Sequence, residues 1–222
     1  MRIISAVLGA AAIVISYYGT VWFLDRKLSL QLPRRKILFI DGCITDKFVL
    51  AVATVTFAVW CYLGSDGEAY RNFFELLQNM TVILLMSIFT VTDTKAKLIP
   101  NRAILVFLGM WTAIGGIAIV SNPESGLRFV GQSLIGGAVG GLVFLLCYLI
   151  SRGQLGAGDV KLVFVMGLYL TGQRIVGAIA YGVLLCCIYS VIQMARKKLT
   201  VKDGVPLAPF LYLGTLITFM IL

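Results

Sequence analysis

Two aspartates, Asp93 and Asp159, are the residues of this sequence best placed to do chemistry together. Asp93 follows an apolar segment, and Asp159 lies beside glycines in Leu155-Gly-Ala-Gly-Asp-Val-Lys-Leu162, at the edge of another apolar segment. Two carboxyl groups brought within a few ångströms of each other share one proton, because both cannot ionise easily. The ionised group can take a proton from water while the protonated group polarises a peptide carbonyl, a route to amide hydrolysis without a metal.

The residues around Asp159 have structural as well as catalytic interpretations. Asp159 can cap the helix that begins after it, since its side chain can accept from exposed backbone N–H groups. Gly156 and Gly158 permit a close backbone approach, whether by a peptide substrate or within an ordinary turn. Lys161 would not face Asp159 on a helix, so it is predicted to anchor the helix at the membrane interface, with holding of substrate as the alternative role.

The loop after Asp93 is short and basic, and it contains Pro100 and Asn101. Pro100 is expected to stop helix propagation, because proline has no backbone N–H. Asn101 is expected to cap the helix that follows, because its side-chain oxygen can accept from an exposed backbone N–H. Both residues are therefore supporting candidates beside the first aspartate.

The composition predicts an integral membrane protein. The chain has 222 residues, of which 59% are hydrophobic and 13% are charged, whereas soluble domains carry about 25% charged residues. Repeated apolar segments of about 20 residues point to the same class. The length suits a single membrane domain over residues 1–222, with a core over about 76–222 that holds both aspartate segments.

The cations of the chain are best explained by orientation in the membrane. There are 19 Lys and Arg against 10 Asp and Glu, a formal net charge of +9. These cations gather in short loops between apolar segments, as the positive-inside rule describes for cytoplasmic loops. No basic stripe with interleaved aromatic residues lies outside the predicted spans, so nucleic acid is not predicted as a partner.

The lack of histidine and of paired cysteines excludes several kinds of metal-binding and catalytic site. The sequence contains no histidine and five cysteines, none of which form a Cys-x-x-Cys pair. A zinc site of the usual type is therefore not expected, and Ser-His and Cys-His catalysis are excluded. The sequence predicts neither a metal nor another cofactor.

The apolar segments predict an all-α transmembrane bundle of six to eight spans with the N-terminus outside. The loops richest in cations are assigned to the cytoplasm, which places both aspartates at the cytoplasmic face. The eight apolar segments cover residues 3–24, 48–63, 76–92, 103–120, 130–150, 160–171, 175–194 and 206–222.

Segment 160–171 is short for a membrane crossing. As a helix it would be about 18 Å long, against about 30 Å of hydrocarbon, so a re-entrant segment is the alternative. We predict that it does cross, because otherwise the basic cluster Arg196-Lys-Lys198 would lie outside, against the positive-inside rule.

Glycines in the preceding segment predict a helix-packing face. Gly136 and Gly140 are four residues apart, as are Gly137 and Gly141. Small residues at this spacing let two membrane helices approach closely, so a structural role is predicted for these glycines rather than a phosphate-binding loop.

Three segments of the chain resemble type IV prepilin peptidases, in the order found in that family. Gly156-Ala-Gly-Asp-Val-Lys-Leu162 matches the family's Gly-x-Gly-Asp motif with the Lys-Leu that follows it. Asp93 followed by Ile99-Pro100-Asn101 matches the segment of its first aspartate, and Val205-Pro-Leu-Ala-Pro-Phe210 with Gly214 is similar to its third signature. The resemblance runs from Asp93 to Gly214, and the role of residues 1–75 is not assigned.

The resemblance implies that Asp93 and Asp159 are the catalytic pair of a membrane aspartic peptidase. Its supporting residues are Gly156, Gly158, Lys161, Pro100 and Asn101. The implied substrate is a pilin-like precursor with a short basic leader before a hydrophobic helix, cut at that junction on the cytoplasmic face of the cell membrane. The lipid bilayer is the other expected partner, and the sequence indicates no oligomeric state.

One departure from the family concerns a second activity. Many bacterial members carry a larger cytoplasmic insert near the N-terminus, with paired Cys-x-x-Cys motifs, and also methylate the new N-terminus. This sequence has neither the insert nor the motifs. It therefore resembles the peptidase-only forms that serve Tad-type pili or archaeal archaellins and pilins, and N-methyltransferase activity is not expected.

Two other classes of protein stay open. Presenilin-like and signal-peptide-peptidase-like proteases also use Gly-x-Gly-Asp and two membrane aspartates, but their first aspartate usually follows Tyr, whereas Thr92 precedes Asp93 here. Cuts within a membrane helix, rather than at a leader junction, would favour that class. A non-enzymatic transporter or assembly scaffold is the other alternative, against which the scarcity of charges within the predicted spans argues.

Overall fold

The structure, a computed structural model, describes residues 73–151, 155–197 and 204–221. These residues form no strand and five helices: α1 (Phe73–Ala96), α2 (Asn101–Ser121), α3 (Pro123–Ile150), α4 (Ala157–Ala195) and α5 (Ala208–Ile221). The predicted all-α class is confirmed for this part of the chain. The predicted spans 3–24 and 48–63 and the side of the N-terminus lie outside the described residues.

Three of the described helices, α2, α3 and α4, are long and apolar enough to cross a membrane. The apolar α5 has 14 residues, which correspond to about 21 Å of helix. Many large apolar side chains of α2, α3 and α4 point away from the bundle, such as Leu105, which is 65% exposed, and Val120, which is 85% exposed. Outward apolar surface of this extent suits helices surrounded by lipid, while the total of six to eight spans stays a prediction.

Residues 121–129, which the sequence places between the predicted spans 103–120 and 130–150 as a short loop, are mostly helical, because Asn122 is the single residue between α2 and α3. The Asn122 side chain caps α3 by accepting a hydrogen bond from the Ser125 N–H at 3.3 Å. Pro123 opens α3 without strain, since a first helical residue needs no N–H partner. At Gly126, a Cβ atom would lie within 2.6 Å of the α2 backbone, so this glycine allows the tight turn.

The predicted glycine face of α3 is confirmed as the surface that packs on α4. A Cβ atom at Gly136 would lie 2.7 Å from the Thr171 carbonyl carbon, and one at Gly137 would lie 2.7 Å from the Leu168 Cδ2. A Cβ atom at Gly140 would lie 3.1 Å from the Val163 backbone oxygen. The absence of side chains on this face therefore brings the two backbones together.

α4 folds back on itself at Thr171. This residue has φ 62° and ψ 175° within an otherwise helical segment. Beside it, a Cβ atom at Gly140 would lie 3.1 Å from the Val163 Cγ1 and 3.0 Å from the Ile175 Cγ1. In a straight helix these two residues would be about 18 Å apart. The helix therefore consists of two arms, α4a (157–170) and α4b (172–195), which correspond to the predicted segments 160–171 and 175–194.

The return of α4b brings its last residues to the same end of the bundle as the start of α4a. Gly214 of α5 contacts Gly182, where a Cβ atom on Gly214 would lie 2.5 Å from the Gly182 N. Further along α4b, the Tyr189 ring lies 5.2 Å from the ring of Phe210, near the start of α5. α4b therefore runs antiparallel to α5 and ends beside the residues that begin it.

Packing between α1, α4 and α5 fixes this end of the bundle. Phe89, Leu162, Met166 and Leu211 are fully buried. Such close contact supplies many dispersion interactions, which are the main packing force where lipid replaces water. The last turn of α1 and the first turns of α4a and α5 are held together as a result.

Candidate functional site

Asp93 lies in the last turn of α1 and is only 6% exposed. Its Oδ2 accepts a hydrogen bond of 2.9 Å from the Ala208 N–H, and the Leu207 N–H also donates to this carboxyl group. Ala208 is the first residue of α5, so its N–H has no partner within the helix. The start of α5 is therefore a preformed cradle for one carboxylate, and it favours negative charge.

Opposing influences act on the proton affinity of Asp93. Burial raises the pKa of its carboxyl group above the ordinary value, and this is the largest effect. The hydrogen bonds from Ala208 and Leu207 and the positive charge of Lys97 act in the other direction. The pKa of Asp93 is raised on balance, and the two hydrogen bonds and Lys97 offset part of the free-energy cost of a charge in this dry setting.

Asp159 is the third residue of α4 and is half-buried. The prediction that it caps the helix is wrong, because Gly156 holds the capping position. The Asp159 N–H donates to the Gly156 carbonyl at 3.0 Å, and the Asp159 carboxyl group accepts from the Gly156 N–H. An acid at the third helical position that reaches back to the capping residue is a familiar arrangement, and it holds this carboxyl group in place.

The structure brings the two aspartate segments together. Burial raises the pKa of the Asp159 carboxyl group to about 6, and the negative charge of Asp93 is the second cause of this rise. Their segments are also in contact. A Cβ atom at Gly158 would lie 3.1 Å from the Ile99 Cβ, so the glycine beside Asp159 makes room for the loop that follows Asp93. This close approach explains why position 158 is a glycine, without a role in substrate binding.

A hydrogen bond links Asn101 to Lys161. The Lys161 Nζ donates to the Asn101 Oδ1 at 3.1 Å. The expectation that Asn101 caps α2 is wrong, because Pro100 occupies the capping position and no side chain completes the cap. The Pro100 carbonyl accepts from the Ala103 N–H at 3.0 Å instead. The amide of Asn101 therefore joins the two aspartate segments, at the exposed edge of the site.

The sequence did not predict two contacts near the site: that of Lys97 with Gly204, and that of the backbone at the start of α5 with Asp93. Lys97 has φ 49°, and its Nζ donates to the Gly204 carbonyl at 2.7 Å. All cations of this loop were assigned to membrane orientation, which hid the role of this one. The prolines at 206 and 209 signal the start of a helix, but its proximity to Asp93 depends on tertiary packing.

The arrangement can flank a water molecule and a carbonyl with two carboxyl groups of different surroundings. Asp93 is nearly dry and held by backbone donors, whereas Asp159 is more open. Within residues 73–151, 155–197 and 204–221, no cluster of three or more His, Cys, Asp or Glu side chains could hold a metal ion.

Comparisons with known proteins bear on the same residues. A model of the type IV leader peptidase family matches residues 80–191, which include both aspartates. The prepilin leader peptidase/N-methyltransferase of Bacillus subtilis (strain 168) is 28% identical over 160 residues, which are 72% of this chain and 62% of that protein. The match thus spans less than two thirds of that relative. No solved structure matches the chain significantly.

Proposed function

Because this chain belongs to the type IV leader peptidase family, we propose that it is a membrane-embedded aspartic endopeptidase acting on pilin-like precursors. It removes the short basic leader where the leader meets the hydrophobic helix, at the cytoplasmic face of the membrane. The observation that carries this proposal is the contact between the Asp93 and Asp159 segments, at one end of an apolar helical bundle. The name of the Bacillus relative supports leader processing as the reaction.

The surroundings of the two carboxyl groups suggest how they divide the work. Hydrogen bonds to a carboxylate favour its charged form, and Asp93 accepts them from both Ala208 and Leu207. Asp93 is therefore assigned as the ionised general base, which takes a proton from the attacking water. Asp159 holds the shared proton and donates a hydrogen bond with it to the scissile carbonyl oxygen. As the C–N bond breaks, the proton that Asp93 took from water passes to the leaving amine, which restores the Asp93 carboxylate.

The test is leader cleavage by purified protein in liposomes, using a panel of pilin-like precursors. Asp93→Asn and Asp159→Asn are nearly isosteric and remove only the titrating acid. Each is expected to lower the turnover by about 10²–10⁴-fold, the usual contribution of general acid–base catalysis. Glu124→Gln is the matched control, because Glu124 is an exposed acid near the start of α3.

Two results would count against the proposal. Substantial cleavage by either aspartate variant would make that residue structural. Cuts within the hydrophobic helix instead of at the leader junction would indicate the presenilin-like class.

The absence of Cys-x-x-Cys pairs supports peptidase activity alone, although the Bacillus relative is also named an N-methyltransferase.

A further inference from the structure

Lys97 makes two hydrogen bonds that link the end of α1 to the segment before α5. Its backbone N–H donates to the Asp93 carbonyl at 2.9 Å, and its Nζ donates to the Gly204 carbonyl at 2.7 Å. Gly204 precedes Ala208 by four residues, and the Ala208 N–H donates to the Asp93 Oδ2 at 2.9 Å. These hydrogen bonds therefore close a ring that contains the Asp93 carboxyl group and one of its backbone donors.

Lys97 stands directly after α1 in a backbone conformation that glycine usually supplies. α1 ends at Ala96, and Lys97 has φ 49°, which lies in the left-handed region. Helices often end on a residue in this region, where a side chain is disfavoured. A lysine at this position therefore has a conformational cost that glycine would avoid, and the contact of its side chain with Gly204 offsets that cost.

The segment that Lys97 contacts has no regular structure of its own. Residues 204–207 form neither a helix nor a strand, and Pro206 has no backbone N–H to donate. A hydrogen bond from an ammonium group to a carbonyl is charge-assisted, and such bonds are stronger than those between neutral groups. The hydrogen bond from the Lys97 Nζ to the Gly204 carbonyl, which we call the Lys97 bridge, therefore fixes one end of this segment, while Asp93 fixes the other.

The charge of Lys97 also acts on Asp93. It lowers the pKa of the Asp93 carboxyl group, against burial, which raises it. Asp159 is the acidic neighbour on α4a, and the described residues of α5 carry no charged side chain. Other exposed cations at this end of the bundle are Arg102, Lys161, Arg196 and Lys197. Of all these cations, Lys97 is the one whose charge acts on the pKa of Asp93.

We propose that Lys97 is a positioning residue of the peptidase, whose ammonium group holds the segment before α5 so that the Leu207 and Ala208 N–H groups stay on the Asp93 carboxylate. The role is indirect, since the Lys97 Nζ donates to the Gly204 carbonyl. It rests on the proposed function, in which Asp93 is the general base. Without Lys97, the backbone donors would be held less firmly and a nearby positive charge would be lost. Both changes disfavour the ionised form of Asp93.

The first test measures backbone amide exchange in the full chain in detergent, which does not depend on cleavage. Lys97→Met removes the ammonium group and is expected to speed exchange in peptides that cover residues 204–211 by at least about threefold. Lys97→Arg retains a charged donor and should restore slow exchange. Lys197→Met is the matched control, because Lys197 is also exposed, has a left-handed φ of 55° and follows α4b at the same end of the bundle. Unchanged exchange in Lys97→Met would overturn the proposal.

The second test measures kcat/KM for leader cleavage against pH. The base must be ionised, so activity falls on the acid side as the aspartate pair takes up a second proton. Lys97 lowers the pKa of Asp93, so Lys97→Met should move the acid limb to higher pH by about 0.5 unit or more. Lys97→Arg and Lys197→Met should leave it close to that of the unsubstituted protein.

A purely structural role of Lys97 would lower the rate at every pH without moving the acid limb. An unmoved acid limb in Lys97→Met would therefore overturn the role at Asp93, even if exchange became faster. Absence of leader cleavage by the unsubstituted protein would instead overturn the proposed function. The exchange measurement would then still decide whether Lys97 holds the segment before α5.

Discussion

At the scale of single residues, the two aspartates differ in which part of the chain supplies their hydrogen bonds. Asp93 depends on a distant part of the chain, since its Oδ2 accepts from the Ala208 N–H, 115 residues away in sequence. Asp159 depends on its own turn, through Gly156. The position of Asp93 relative to Asp159 therefore requires that the segments around them be tied together, and the hydrogen bond between Asn101 and Lys161 is such a tie.

Breaking that hydrogen bond should slow catalysis without abolishing it. A hydrogen bond of this kind contributes about 0.5–1.5 kcal/mol, which corresponds to about a two- to tenfold change in rate. We expect Lys161→Met and Asn101→Ala each to lower kcat by about this factor, with KM little changed. The double variant should be no slower than either single variant, because both changes remove the same interaction.

The same set of variants distinguishes a role of Lys161 in positioning the two aspartate segments from a role in substrate binding. If Lys161 holds substrate instead, Lys161→Met should raise KM while Asn101→Ala has no effect. Arg102→Gln is the control for loss of an exposed cation near the site. Equal losses in Lys161→Met and Arg102→Gln, with Asn101→Ala unaffected, would show that the positive charge of this edge, rather than the hydrogen bond, is what matters.

At the scale of the helices, glycine contacts decide how closely the site is assembled. The α3 glycines let α4a lie directly on the α3 backbone. This contact fixes the position of α4a, and therefore of Asp159 at its start. Not every glycine of α3 serves this purpose. A Cβ atom at Gly131 would meet nothing within 4 Å, whereas one at Gly136 would lie 2.7 Å from the Thr171 carbonyl carbon.

This contrast predicts opposite effects of the same substitution on one helix. Gly136→Ala forces the backbones of α3 and α4 apart and should destabilise the protein by about 1–3 kcal/mol. Gly131→Ala should stabilise it by about 0.5–1 kcal/mol, because alanine loses less backbone freedom in a helix. Thermal unfolding in detergent measures both. A similar unfolding temperature for the two variants would contradict the packing described here.

At the scale of the whole molecule, the sequence predicted the elements better than the contacts between them. Hydropathy and charge gave an all-α class, and the spacing of Gly136 and Gly140 gave the packing face. Predictions from neighbouring residues failed where contacts between remote segments engaged the same side chain. Asn101 has the chemistry of a helix cap but is engaged by Lys161. No rule based on neighbouring residues places the start of α5 beside Asp93, because that contact joins remote segments.

The orientation of the bundle in the membrane is the remaining whole-molecule prediction. Asn101, at the start of α2, lies with Lys161 at the aspartate end, and α2 extends for 21 residues to Ser121, or about 31 Å. Glu124 at the start of α3 and Lys197 after α4b should therefore lie on opposite sides of the bilayer. The positive-inside rule assigns the Lys197 side to the cytoplasm.

Cysteine labelling with a membrane-impermeant maleimide checks this orientation. Glu124→Cys should react in intact cells, because its side chain is exposed on the outer side. Lys197→Cys should react only after the membrane is permeabilised, and the unsubstituted chain supplies the background of its native cysteines. The reverse pattern would place the aspartates outside and exclude cleavage at the cytoplasmic face. Labelling of both positions in intact cells would mean that these two ends do not lie on opposite sides of the bilayer.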